Sequence, residues 1–128
     1  MISRYTRPEL AALWSESRRL ALFLEVELAA TAALEEAPSS PIPTGTAMRL
    51  RQLSAQMGPL DPSRVSEIER RTQHEVLAFL EHVEERLGPE ARWLHFGLTS
   101  SDVLDTVLAL QLREATSIII RGIDEQLL

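Results

Sequence analysis

Apolar residues recur at helical spacing along most of this chain, and the runs are separated at Pro and Gly. From residue 8 to about 36, Leu10, Leu13, Trp14, Leu20, Phe23, Leu24, Leu28 and Ala32 lie near a 3.6-residue period, which predicts one long first helix. Thr6 and Glu9 around Pro8 read as a capping box at its start. Glu25 and Glu27, in the middle, are assigned to its exposed face. The run A-P-S-S-P-I-P-T at 37–44 is a break. A weaker helix follows over 45–57, with Met48, Leu50, Leu53 and Met57 apolar, and Gly58-Pro59 ends it. Asp61 and Pro62 open another helix as N-cap and first residue, with Val65 and Ile68 apolar and the charged run 67–71 solvated. Thr72 and Glu75 read as a second capping box. Behind it Val76, Leu77, Phe79, Leu80, Val83 and Leu87 face inward, His82 lies on the surface, and Gly88-Pro89 closes the helix. A last helix starts near Asp102. Its apolar residues, from Val103 and Leu104 through Leu112 to Ile118, Ile119, Ile120, Ile123, Leu127 and Leu128, are too many for one narrow stripe, so burial on several sides is expected. No strand or repeat pattern stands out. The expected class is all-α.

The polar residues concentrate just before that last helix. His95, Gly97, Thr99, Ser100, Ser101, Asp102 and Asp105 fall within eleven positions. A helix start presents outward-facing N–H groups and a dipole that favours an anion. Gly97 permits a positive φ or a close backbone approach, and the hydroxyls can donate to a carboxylate or phosphate. The cluster therefore suits a small-anion pocket; simple helix capping by the same residues explains the pattern equally and is compatible with it. Two other polar nodes are Arg4-Tyr5 and His74-Glu75. Together the three supply guanidinium, hydroxyl and imidazole groups, suited to an anionic substrate and to proton movement near neutral pH.

Composition narrows the chemistry. A net charge of −6 argues against nucleic acid or an anionic membrane as partner. All thirteen basic residues are Arg, so no Schiff-base lysine exists in these residues, and without Cys there is no disulfide or thiolate site. No H-E-x-x-H or G-x-S-x-G motif is present, so neither that metal pattern nor that hydrolase elbow is read, and no metal is expected. With no signal peptide and no apolar run near the ~20 residues of a membrane span, a cytoplasmic location is expected.

Three segments, M-I-S-R-Y-T-R-P-E-L, T-Q-H-E-V-L-A-F-L and H-F-G-L-T-S-S-D-V-L-D-T, occur in this order at residues 1–10, 72–80 and 95–106, and the likeness they carry extends over almost the whole chain. Together they resemble the N-terminal part of the bacterial adenylosuccinate lyase family, within the aspartase/fumarase superfamily. The resemblance implies a small helical domain over residues 1–98 and, over 99–128, the start of a long helix of a central bundle. It implies a homotetramer with active sites shared between subunits, and no cofactor. The implied reaction is β-elimination of fumarate from adenylosuccinate and from the succinyl-carboxamide ribotide of purine synthesis. By the same resemblance Arg4 and Tyr5 contact the nucleotide, with Arg4 suited to phosphate. His74 orients substrate near the phosphate and succinyl group, Thr99 and Ser100 hold a carboxylate, and His95 lines the site. His74 and His95 thus support catalysis, and Gln73 and Glu75 flank His74 in the substrate pocket. This chain departs from the pattern there. Gln73 replaces a basic residue, Glu75 a shorter acid, Phe96 a common Tyr and Ser101 a common Thr. The family's acid histidine and its mobile serine loop lie beyond these residues. The chain is therefore expected to be a piece of a longer protein, inactive by itself. Another lyase or cycloisomerase of the superfamily is the near alternative, and a stand-alone helical interaction module is the distant one.

Overall fold

The computed structural model describes residues 2–127, apart from the side chain of Ser3. Met1 of the opening motif and Leu128 of the last apolar run lie outside the described residues. A 3-10 turn at Ser3–Tyr5 precedes α1 (Pro8–Leu13), α2 (Glu16–Glu35), α3 (Thr46–Met57), α4 (Pro62–Thr72) and α5 (Glu75–Leu87). A 3-10 segment at Gly88–Trp93 then leads to α6 (Ser100–Leu127). The described residues contain no strand, so the all-α expectation holds.

α2 is the central element: α3, α4 and α6 pack on it, and α5 packs on α4 and α3. Its inward positions Leu20, Phe23, Glu27 and Thr31 follow each other at three- and four-residue steps, one face of a helix. α5 buries Val76, Phe79 and Val83 at the same spacing. The two faces meet edge to face, with the Phe23 and Phe79 rings 5.4 Å apart at 90°. Leu50, Leu60, Val65, Ile68, Val103 and Val107 complete the core.

The first predicted helix is in fact two. The chain breaks at Trp14-Ser15, and Ser15 caps α2 by accepting from the Arg18 N–H at 3.2 Å. Thr6 caps nothing: its hydroxyl donates to the Ile2 carbonyl, and Arg7 precedes α1 without a side-chain cap. A Ser followed by Glu is an ordinary helix start, and the apolar period ran across it unbroken. At the far end of α2, Glu35 accepts from the N–H groups of Gly45 (2.5 Å) and Ala47 (2.7 Å). It thereby caps α3 from a distance, because Gly45 at φ 86° has no side chain to do so.

Two further starts are corrected. Thr72 does not cap α5; it ends α4, and its hydroxyl donates to the His74 carbonyl. α6 begins at Ser100 rather than Asp102. Leu77, expected inward, is exposed, and so is Met48, since neither falls on the face its helix presents to the core. On α6 this chain buries one stripe, Val103, Val107, Gln111 and Ala115, and not several sides. Gln111 is buried because its amide donates to the Leu13 carbonyl at 2.9 Å, closing the open end of α1. Beside that stripe Leu108, Leu112, Ile119, Ile120 and Ile123 are exposed.

Candidate active site

Three elements converge where α2 passes the start of α5 and the start of α6. His74 is the N-cap of α5. Its Nδ1 accepts from the Leu77 N–H at 3.3 Å, in the place usually taken by a Ser or Asp oxygen. That bond requires a lone pair on Nδ1, so the neutral ring carries its hydrogen on Nε2. Nε2 lies 3.2 Å from the Ser100 hydroxyl, the first residue of α6. Ser100 Oγ thus accepts from His74, and its own hydrogen is left to donate elsewhere. Two motifs 26 residues apart are joined by this one contact.

The α6 start is capped by its own residues. Asp102 Oδ2 accepts from both the N–H (2.7 Å) and the hydroxyl (3.0 Å) of Thr99. Those bonds, the main-chain one first, hold the Asp102 carboxyl below its ordinary range. Of the two readings of this cluster, capping is therefore present, and Asp102 already supplies one negative charge at the helix end. Gly97 adopts φ 72°, the left-handed conformation expected of it.

His95 is held from α2. Glu27 is fully buried, its Oε2 accepts from the His95 N–H at 2.6 Å, and its Oε1 lies 2.6 Å from His95 Nδ1. One turn later, Thr31 donates to the Glu27 carbonyl at 2.8 Å and approaches the Trp93 carbonyl at 3.4 Å. The assignment of Glu27 to an exposed face is wrong, and the sequence did carry the signal. Glu27 stands four residues after Phe23 and seven after Leu20, on the apolar stripe, whereas Glu25 does not and is exposed. His82 is corrected for a similar reason. It is buried, its Nε2 accepts from the Asp61 N–H at 3.2 Å, and its Nδ1 faces Glu85 at 3.3 Å. It ties α5 to the start of α4 and stands apart from the site.

The remaining candidates divide. Glu75 forms an ion pair with Arg19 of α2, whose guanidinium also lies over the Phe23 ring. Gln73 is exposed at the C-cap of α4 in the left-handed region, φ 51°, with its amide donating to the Arg70 carbonyl. Arg4 and Tyr5 are exposed and stack on each other, the guanidinium 5.9 Å from the ring centre. Among the described residues, neither bonds to His74, His95, Thr99 or Ser100. The structure therefore brings His74, Ser100, Thr99 and His95 to one corner and leaves Arg4 and Tyr5 outside that hydrogen-bonded set. No group of three or more His, Asp or Glu is gathered as a metal site among the described residues.

The all-α fold itself is a known architecture. A crystal structure described as a fumarate lyase from Mesorhizobium sp. BNC1 matches it with a TM-score of 0.77, over 90% of this chain and 26% of the other. Sequence identity there is 23%, so the fold is what is shared. The sequence itself leads to a narrower group. It is 40% identical over 124 residues to the adenylosuccinate lyase of Bacillus subtilis, and 41% identical over 124 residues to that of Streptococcus mutans. The Synechocystis enzyme is 40% identical over 125 residues. These matches take in 97–98% of this chain, which spans only 27–28% of the length of the relatives. No family model matches. By sequence nearly the whole chain is similar to about a quarter of each of these adenylosuccinate lyases.

Proposed function

We propose that these residues form the substrate-orienting part of an adenylosuccinate lyase, a purine-biosynthetic enzyme that eliminates fumarate from adenylosuccinate and from the succinyl-carboxamide ribotide. The observation that carries this reading is the His74–Ser100 contact. It leaves a hydroxyl donor preset at the start of a long helix, beside a buried-carboxylate-held histidine. Removing a carbon-bound proton next to a carboxylate builds negative charge on that carboxylate. Donors fixed in advance stabilise such charge most effectively. Ser100 and Thr99 are assigned to a carboxylate of the succinyl or fumarate part, and His74 and His95 support catalysis around it. Arg4 and Tyr5 are assigned to the nucleotide, with Arg4 on its phosphate, and Gln73 and Glu75 to the pocket wall. In this reading the acid histidine and serine base come from outside these 128 residues. No cofactor takes part.

The division at residues 98 and 99, between a small helical domain and the start of a bundle helix, belongs to the same proposal. So does a cytoplasmic homotetramer whose bundle covers the exposed row Leu108, Leu112, Ile119 and Ile123. No helix among the described residues is long and apolar enough to cross a membrane. The test is a hybrid in which these residues replace the matching segment of the Bacillus subtilis enzyme. The hybrid is expected to release fumarate from adenylosuccinate, and the 128 residues alone to release none. Fumarate from the chain alone, or none from a hybrid that assembles like its parent, would overturn the proposal.

A further inference from the structure

We propose that Glu27 is the positioning residue of His95, setting both its backbone turn and its tautomer so that the neutral ring presents the Nε2 lone pair to the site. The inference rests on the reading above only in taking His95 as a site residue.

A carboxylate buried to 0% exposure among Leu20, Phe23 and Leu28 is costly unless both oxygens find donors. Glu27 finds both on a single residue, the main-chain N–H and Nδ1 of His95, each at 2.6 Å. An ionised carboxylate only accepts, so Nδ1 carries the ring hydrogen and Nε2 is left unprotonated. Nε2 has no hydrogen-bond partner among the described residues, and the side chain is 18% exposed, so one edge of the ring is open. The backbone needs holding as well. His95 sits at φ 62°, a left-handed conformation uncommon for a residue with a side chain. Such a conformation persists where the surroundings over-determine it. Glu27 grips the N–H of that residue, the Leu98 N–H bonds its carbonyl at 3.2 Å, and Thr31 steadies Trp93 two residues before. The same corner then holds two histidines in opposite tautomers. His74 donates from Nε2 to Ser100, and His95 accepts at Nε2. One arms a hydroxyl donor and the other offers a hydrogen-bond acceptor to the site.

Nitrogen-15 spectra of the histidine rings, recorded with the chain above the pH where imidazole is charged, test this directly. There are only three histidines, and His74→Gln and His82→Gln assign them by subtraction. His95 is expected to show a protonated Nδ1 and a lone-pair Nε2. In Glu27→Gln the amide oxygen keeps the His95 N–H and the NH2 must donate to Nδ1, so the two nitrogen signals are expected to exchange. A wild-type His95 protonated on Nε2, or a folded Glu27→Gln with no exchange, would overturn the proposal. The wild-type spectrum decides the tautomer even where the buried substitution prevents folding. In the lyase hybrid, Glu27→Gln is expected to lower kcat by about 10²-fold with KM changed less, the size of one preset hydrogen-bonding group. Exchanged signals with undiminished elimination would remove His95 from the reaction while leaving Glu27 as its positioning residue, so the two readings fail separately.

Discussion

Carboxylates in this chain act mainly as distant caps and clamps, and their charge state sets its response to acid. Glu35 is held below its ordinary value by the N–H of Ala47 first and of Gly45 second. Glu85 is pulled to about 2, chiefly by Arg64 and then by His82. A carboxyl whose folded value is depressed binds protons more weakly in the native state than in the unfolded one. Its stabilisation is complete above the unfolded value, 4.5 for Glu, and is lost as pH falls through the folded value. Urea midpoints are therefore expected to change little from about pH 7 to about pH 5, then to fall steadily toward pH 2. Glu35→Gln should shrink the difference between midpoints at pH 6 and pH 3; an unchanged difference would mean the α3 cap is not carried by charge. Legibility at this scale followed spacing. Asp61 and Gly58 announced their roles through local turn chemistry, and both stand where expected. Glu27 and His82 were misplaced because polar residues on an apolar stripe were judged by type instead of by position. Their partners, His95 and Asp61, lie 68 and 21 residues away, so no local pattern names them.

Among the elements, helix existence was read well and helix starts poorly. Five predicted helices became six among the described residues because the apolar period continued through Ser15. The cap at Ser15 is local, however, and its energetic weight follows from its bond to the Arg18 N–H. Ser15→Ala is expected to destabilise the fold by about 1 kcal/mol in urea melts. Thr6→Ala, which removes no helix cap, should change stability by less than about 0.5 kcal/mol. Equal effects would return the cap to Thr6. The displaced box at Thr72 has a similar physical reason. The cap is the imidazole two residues later, whose Nδ1 accepts from the Leu77 N–H, and the T-x-x-E spacing does not reveal that shift.

In the molecule as a whole, α6 buries one stripe against α1 and α2 and leaves an adjacent apolar row in solvent. The excess of apolar residues was legible in the sequence; which of them this chain covers was not, because that depends on how α2 lies across the helix. Such a row favours association. Light scattering at micromolar concentration is expected to give a mass above the 14.4 kDa of one chain, and Leu112→Glu with Ile119→Glu to return it to one chain. A monomer before substitution would contradict this. In the proposed function the start of α6 meets the cap of α5 to present a donor to a substrate carboxylate. Its most direct test is kcat/KM for adenylosuccinate in the lyase hybrid carrying Ser100→Ala. A fall of about 10²-fold is expected, the usual cost of one preset donor, while Glu36→Gln at the exposed end of α2 leaves the value unchanged. Equal kcat/KM for Ser100→Ala and the unsubstituted hybrid would contradict it.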